Sequence, residues 1–255
     1  MPITVAFDRA ITRASVVIAQ PPGNLLTAEI VTQLRALVDD LAESRHLRLV
    51  TIAGDGPDFS FGASVPEHRA GEIERVLPDA HALIFDLLTL PAPTAAVVRG
   101  RCLGGGFELA LACDVIFAAD TATFGLPEIA LGVFPPAASV LLPARVGAAR
   151  AASAILTGQT RSAADWHAAG LVEIVAPDAD LQAAVDRWFE TTLARHSAEA
   201  LRHAVRALRT PLVDRVRREL PEAERLYLED LMRSHDATEG IRAFLEKRAA
   251  RWKDQ

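Results

Sequence analysis

The segment RGRCLGGGFELALACDVIFAA, residues 99–119, places three consecutive glycines directly before an apolar helix pattern that contains one acid. Glycine is unfavourable in a helix interior, and a lone carboxylate is costly to bury, so both features need a reason. The pattern TAAVVRG before the glycines predicts a strand. A strand, a tight glycine turn and a helix N-terminus together form a device whose backbone N–H groups stabilise negative charge.

Four interpretations of the glycine run are weighed. A phosphate loop would need Gly-Lys-Ser/Thr, but Phe107 and Glu108 follow the last glycine. A dinucleotide fingerprint needs a third glycine, and Leu109 stands at that position after Gly104 and Gly106. The glycines could also only allow close packing of the helix, with Glu108 exposed. The favoured interpretation is a buried carboxylate beside N–H donors, which suits proton transfer next to a developing oxyanion.

Two further segments could complete such a site. Glu128 lies in TFGLPEIALG, where Pro127 predicts the start of a short helical element. Taken alone, an acid at that place usually only complements the helix dipole. The segment FSFGAS, residues 59–64, is rich in small residues and could bring a backbone N–H close to a ligand.

Composition excludes several classes of function. The formal net charge of −6 provides no positive field for nucleic acid or an anionic membrane. The two cysteines, Cys102 and Cys113, are typical of a reducing cytoplasm rather than of a disulfide framework. No spacing of His, Cys, Asp or Glu suggests a metal site, and MPITVAFDRA does not resemble a secretory leader. A cytoplasmic protein is therefore expected.

Alternating strand and helix patterns predict an α/β fold with a largely parallel sheet. Strands are predicted at 3–7, 14–19, 47–54, 94–100 and 114–119, and helices at 27–44, 71–90 and from about 105. Residues 123–139 are predicted to form a loop with a short helical turn. Four helices are predicted at 178–194, 197–209, 212–233 and 236–250. The expected division is a core with the site, residues 1–190, and a helical C-terminal region, residues 191–255.

Three of these segments together resemble the motifs of the enoyl-CoA hydratase/isomerase (crotonase) family. FSFGAS is similar to the family's F-x-x-G-A-D, residues 100–119 to its glycine-rich segment, and FGLPEIALGVFP to its F-G-x-P-E-x-x-L-G-x-x-P. The resemblance covers essentially the whole chain. It implies a spiral of β-β-α units, with C-terminal helices that mediate a homotrimer or a dimer of trimers.

The resemblance also implies residue roles. The N–H groups of Ala63 and Gly105 are expected to hold the thioester oxygen of an acyl-CoA, and Glu108 and Glu128 to activate the water that adds to its double bond. Coenzyme A would be part of the substrate, and no other cofactor is expected. Residues expected to bind the substrate are Phe61, Gly62, Ser64, Val65, Phe134, Pro136, Phe244 and Lys247. His68 is expected to face solvent or form hydrogen bonds.

The chain departs from the family pattern in two places. Residues 63–67 read ASVPE, without the Asp and the Lys that often follow this Ala, and residues 135–139 read PPAAS where Pro-Gly-Ala-Gly-Gly is common. The second change alters the acyl pocket. The patterns FSFGASV-x-E-H, LGVF-x-PAAS and LYLE-x-LM-x-SHDA most resemble the branch of the family that hydrates a cyclic dienoyl-CoA in anaerobic benzoyl-CoA degradation. The alternatives are a hydratase or isomerase of linear acyl-CoAs and a non-catalytic acyl-CoA or RNA binder.

Overall fold

The computed structural model describes residues 2–68 and 71–255, with the side chain of His68 outside the described part. A six-stranded sheet forms its centre, in the order β1-β2-β3-β4-β6-β9. Strands β1 and β2 are antiparallel and all other neighbours are parallel. The strands are β1 (Ile3–Phe7), β2 (Arg13–Ile18), β3 (Leu49–Gly54), β4 (Thr94–Val98), β6 (Val115–Ala119) and β9 (Ile174–Ala176).

Strand β4 shows why this sheet is parallel and central. All five of its residues are buried, and the run TAAVV carries no polar alternation beyond its first residue. A strand that reads as a continuous apolar run is covered on both faces, as parallel strands in α/β proteins are. The predicted α/β class with a largely parallel sheet is therefore confirmed.

A smaller sheet contains β5 (Arg101–Leu103), β7 (Thr123–Gly125) and β8 (Arg161–Ser162). Strand β5 is parallel to β7, and β7 is antiparallel to β8. The loop predicted over 123–139 is thus wrong at its start, where β7 forms. Three residues are too few for an alternation signal, and the strand owes its shape to partners on both sides.

The remaining elements are helical. The α-helices are α1 (Ala28–Ala42), α2 (Ile73–Thr89), α3 (Gly105–Leu111), α4 (Pro136–Val146), α5 (Ala148–Thr157), α6 (Ala163–Ala168), α7 (Leu181–Thr192), α8 (Ala198–Arg225) and α9 (His235–Leu245). Short 3-10 turns span Val65–His68, Pro127–Leu131, Asp178–Asp180 and Leu231–Arg233, and a π-helical turn spans Leu226–Asp230. No helix in the described part of the chain is long and apolar enough to cross a bilayer.

The elements repeat as strand, strand, helix. Two such units begin at β4 and at β6. In each unit the first strand, β4 or β6, belongs to the large sheet, and the second strand, β5 or β7, belongs to the small sheet. The unit β4-β5-α3 carries the glycine run. The unit β6-β7 continues into the Pro127–Leu131 turn and α4. The implied spiral of β-β-α units is therefore present, and it places the two units with the candidate acids side by side.

Helix α8 is continuous where the sequence predicted two helices, 197–209 and 212–233. Pro211 lies inside it, although an interior proline costs about 3 kcal/mol of helix stability. The ring of Pro211 is exposed, whereas Val216 and Leu220 are buried in the same apolar core as the strands. Packing of this face outweighs the lost hydrogen bond. The division into residues 1–190 and 191–255 stays a prediction.

Arg209 anchors α8 to the core and is only 4% exposed. Its guanidinium donates to both oxygens of Asp114, at 2.8 and 2.6 Å. Burial opposes ionisation, but these hydrogen bonds keep the pKa of Asp114 below its ordinary value. The remaining donors reach Thr94 and the carbonyl oxygens that end α2 and lead into β4: those of Leu87, Leu88, Leu90 and Ala92.

Replacing Arg209 with Met should lower the free energy of unfolding by about 3–5 kcal/mol, because it removes the charged partner of the buried Asp114 carboxylate and the donors to several carbonyl oxygens. Denaturant unfolding followed by circular dichroism measures the loss. Arg206→Met, on the exposed side of the same helix, is the matched control and should change stability by less than about 0.5 kcal/mol. Equal effects of the two substitutions would contradict an anchoring role.

Candidate active site

A cavity of about 500 Å³ lies where the unit that carries the glycine run meets the unit that carries the Pro127–Leu131 turn. Its walls come from α2, the start of α3, the Pro127–Leu131 turn, the residues that precede α4, the π-helical turn after α8, and α9. Most of the lining is apolar. Polar side chains that reach the cavity include Glu108, Glu128, His81 and Tyr227. A concave, largely apolar space with a few convergent polar groups is typical of a small-molecule site.

The glycine run brings Glu108 to this cavity. Gly104 precedes α3 with a φ of +51°, which favours glycine. A Cβ on Gly106 would lie 2.6 Å from the Cβ of Ser60, so α3 approaches the 59–64 segment as closely as glycine allows. Glu108 then lies in the first turn of α3. The alternative in which Glu108 merely faces solvent is wrong, because the side chain lines the cavity.

Glu108 is held by a second helix. Its Oε1 accepts the N–H of Ala138, at 2.8 Å, in the first turn of α4. Burial raises the pKa of Glu108 above its ordinary value, and the N–H groups of Ala138 and Ala137 limit the rise. The helix N-terminus thus partly compensates the cost of burying a carboxylate.

Glu128 enters the cavity from the 3-10 turn that Pro127 begins. Its Oε2 is buried and has no hydrogen-bond partner among the described residues. Its other oxygen, Oε1, would lie 2.7 Å from a Cβ on Gly104, so a larger residue at position 104 would displace this carboxylate. Burial, followed by the nearby charge of Glu108, raises the pKa of Glu128 to about 8. The two acids therefore share one site, in which Glu128 keeps its proton at neutral pH.

The segments 59–64 and 103–105 contact each other through their backbones. A Cβ on Gly62, whose φ is +91°, would lie 2.7 Å from the carbonyl oxygen of Leu103 and 3.0 Å from the nitrogen of Gly105. A Cβ on Gly105 would lie 3.3 Å from the nitrogen of Ala63. The N–H groups of Ala63 and Gly105 are thus neighbours, and neither donates to a described residue. Such a pair of N–H donors can stabilise an oxyanion.

The structure brings most of the sequence-predicted substrate residues to the cavity. The lining includes Phe61, Val65, Phe134, Pro136 and Phe244, with Phe244 half exposed. Gly62 and Ser64 are buried beside the cavity rather than in its lining, and Lys247 is exposed beyond the end of α9.

Three polar residues of the cavity carry no motif in the sequence: His81, Tyr227 and Arg248. His81 lies on the buried face of α2, and its Nδ1 is 2.6 Å from Oε2 of Glu224 on α8. Tyr227 lies in the π-helical turn, with its hydroxyl buried. A lone histidine or tyrosine at an apolar helical position resembles an ordinary core residue. Only the fold shows that both face the same cavity as the two glutamates.

Comparison with known proteins agrees with this architecture. The profile of the family described as enoyl-CoA hydratase/isomerase matches residues 11–255. The cyclohexa-1,5-dienecarbonyl-CoA hydratase of Thauera aromatica is 43% identical over 254 residues, which cover 100% of this chain and 98% of that protein. A probable enoyl-CoA hydratase of Bacillus subtilis is 32% identical over 259 residues, 99% of each chain.

A solved structure supports the same assignment. The enoyl-CoA hydratase from Mycobacterium avium subsp. paratuberculosis K-10 superimposes with a TM-score of 0.88 at 29% sequence identity, covering 100% of this chain and 99% of that one. The protein is thus an enzyme of the enoyl-CoA hydratase type, with the crotonase fold that its motifs predicted. The chain belongs to the enoyl-CoA hydratase/isomerase (crotonase) family.

Proposed function

We propose that the protein adds water to cyclohexa-1,5-diene-1-carbonyl-CoA to form 6-hydroxycyclohex-1-ene-1-carbonyl-CoA, a step of anaerobic benzoyl-CoA degradation. The observation that carries the proposal is the convergence of two carboxylates and two unpartnered backbone N–H groups on one apolar cavity. The similarity to the Thauera aromatica protein, over essentially both chains, supports the choice of a ring substrate.

Ala63 and Gly105 form the oxyanion hole of this reaction. When water adds to a double bond conjugated with a thioester, negative charge develops on the thioester oxygen. The two neighbouring N–H groups donate to that oxygen. Each well-placed donor of this kind lowers the barrier by about 3 kcal/mol.

Glu108 is the base and Glu128 the acid. Burial raises the pKa of both glutamates, but the N–H groups of Ala138 and Ala137 limit the rise at Glu108, whereas the pKa of Glu128 is raised to about 8 and this group is protonated. Glu108 takes a proton from water as the oxygen bonds to the ring carbon, and Glu128 gives its proton to the carbon that receives the displaced electron pair. The product contains one added molecule of water. The two glutamates together still hold one proton, which is now on Glu108 instead of Glu128.

The pocket around these groups suits a ring. Phe61, Phe134 and Pro136 line it, and Pro136 begins the helix whose Ala138 N–H holds Glu108. The PPAAS segment therefore shapes the acyl pocket and positions the base at once. Gly62, Ser64 and Val65 belong to the loop that presents the Ala63 N–H.

We further propose that Phe244 and Lys247 bind the coenzyme A part of the substrate, of their own or a neighbouring subunit in a homotrimer or a dimer of trimers. Phe244 lines the cavity and is half exposed, and Lys247, three residues later in the chain, is exposed. No cofactor beyond this coenzyme A moiety is proposed. Two buried free thiols suit a cytoplasmic enzyme.

Glu108→Gln and Glu128→Gln should each lower kcat for hydration by at least about a hundredfold, because each removes a proton-transfer group. The loss of the conjugated diene absorbance measures the rate. Glu173→Gln, an exposed acid, is the control and should be fully active. Near-normal rates in both cavity variants would overturn the two-carboxylate mechanism.

The rate of hydration should fall as the pH rises through about 8, since Glu128 must carry a proton and loses it there. An ordinary glutamate would have lost that proton far below neutral pH, so the sign of the effect tests the environment of Glu128. The pH profile of kcat gives the measurement. The residual activity of Glu128→Gln should lack this alkaline decline, and a profile that stays flat through the alkaline range would refute the assignment.

The cyclic dienoyl-CoA should be preferred over crotonyl-CoA by at least about tenfold in kcat/KM, as expected when a pocket fits the larger apolar group. Parallel initial-rate measurements with both thioesters decide this. Preference for crotonyl-CoA would assign the enzyme to linear acyl chains. Tight binding without turnover of either would favour a non-catalytic acyl-CoA binder.

A further inference from the structure

Two polar atoms on the cavity have no role in the two-glutamate reaction. They are Nε2 of His81 and the hydroxyl oxygen of Tyr227, both buried and without a hydrogen-bond partner among the described residues. Burying a polar group with no partner is unfavourable, so such atoms are rare in folded proteins. Two of them on the wall of a substrate cavity indicate that a ligand supplies the missing hydrogen bonds.

A contact with Glu224 fixes the orientation of the His81 ring. Its Nδ1 is 2.6 Å from a carboxylate oxygen of Glu224, which can only accept, so Nδ1 carries the hydrogen. In the neutral imidazole, Nε2 then presents a lone pair to the cavity. Because α8 holds Glu224, the same helix that covers the core also sets which tautomer of His81 faces the substrate.

Tyr227 lies three residues beyond Glu224, within the π-helical turn. Its ring packs edge-on against Phe134, with 5.5 Å between the ring centres, and the residue is 2% exposed. Packing therefore fixes the hydroxyl group, which can donate a hydrogen bond. Both His81 and Tyr227 line the cavity, so an acceptor and a donor belong to the same wall of the substrate space.

We propose that His81 Nε2 and the Tyr227 hydroxyl form a subsite that binds the hydroxyl group of the hydrated acyl-CoA. A hydroxyl group is the one simple function that both donates to an acceptor and accepts from a donor. This inference rests on the proposed hydration, which creates such a group beside the glutamates. His81 and Tyr227 line the same cavity as Glu108 and Glu128, which places the subsite beside the reacting groups.

The subsite makes the enzyme discriminate between an acyl group that carries a hydroxyl group and one that does not. The hydroxylated ring satisfies both polar atoms, whereas a hydrocarbon ring satisfies neither. The hydroxyacyl-CoA should therefore bind more tightly than the same thioester without the hydroxyl group. This selectivity is separate from the oxyanion hole, because both thioesters carry the same carbonyl oxygen.

The test compares two thioesters in the Glu128→Gln background, which suppresses turnover. The probes are 2-hydroxycyclohexane-1-carbonyl-CoA and cyclohexane-1-carbonyl-CoA, and isothermal titration calorimetry gives their Kd. His81→Leu and Tyr227→Phe should each weaken binding of the hydroxylated probe about fivefold, the effect of one neutral hydrogen bond, and leave the other probe unchanged. His81→Gln, which keeps an acceptor, should restore part of the affinity.

His167→Leu is the matched control, since His167 is exposed on α6 and lies outside the cavity lining. It should affect neither probe. Equal weakening of both probes by Tyr227→Phe would mean that the residue only shapes the cavity, and no weakening would mean that the hydroxyl group binds elsewhere. Either result overturns the subsite. If the selectivity changes as expected while the wild-type enzyme does not hydrate the cyclic diene, only the proposed function fails.

Discussion

The candidate site depends on one backbone contact, that between Gly62 and the Leu103–Gly105 turn. With a Cβ on Gly62 only 2.7 Å from the Leu103 carbonyl oxygen, any larger residue would push the two segments apart. Their separation sets the distance between the N–H groups of Ala63 and Gly105. It also sets where α3 starts, and hence where Glu108 points. Ser60 supports the contact from behind, because its hydroxyl group accepts the N–H of Gly62 and donates to the Asn24 carbonyl.

Much of the fold could be predicted from the sequence, because its long elements carry strong periodicity. The apolar run of β4 and the spaced apolar residues of α1 and α2 gave elements close to those observed. Strand β7 could not be predicted, since three residues have no period and their shape comes from neighbouring strands. At Pro211 the sequence predicted a break between two helices, because proline usually ends a helix. Packing along the buried face of α8 keeps the helix continuous there.

The site was predictable to the extent that its chemistry lies in contiguous motifs. Glu108 follows the glycine run and Glu128 follows Pro127, and such glycines and prolines indicate turns and helix starts. The sequence alone therefore pointed to both glutamates as candidate site residues. His81 and Tyr227 carry no such signal. Each occupies an apolar helical position, and what sets them apart is a partner or a cavity far away along the chain. Long-range placement of this kind is a property of the fold and not of a local pattern.

The anchoring of α8 by Arg209 has a consequence for how the enzyme is assembled during synthesis. The spiral units, both glutamates and the pair of N–H groups all precede α8 along the chain, whereas Tyr227, Gly240 and Phe244 close the cavity and emerge from the ribosome last. A nascent chain would thus hold its reactive groups before it has a closed acyl pocket. The hydrogen bonds of the Arg209 guanidinium to the carbonyl oxygens at the end of α2 hold in place the helix that leads into this closing wall.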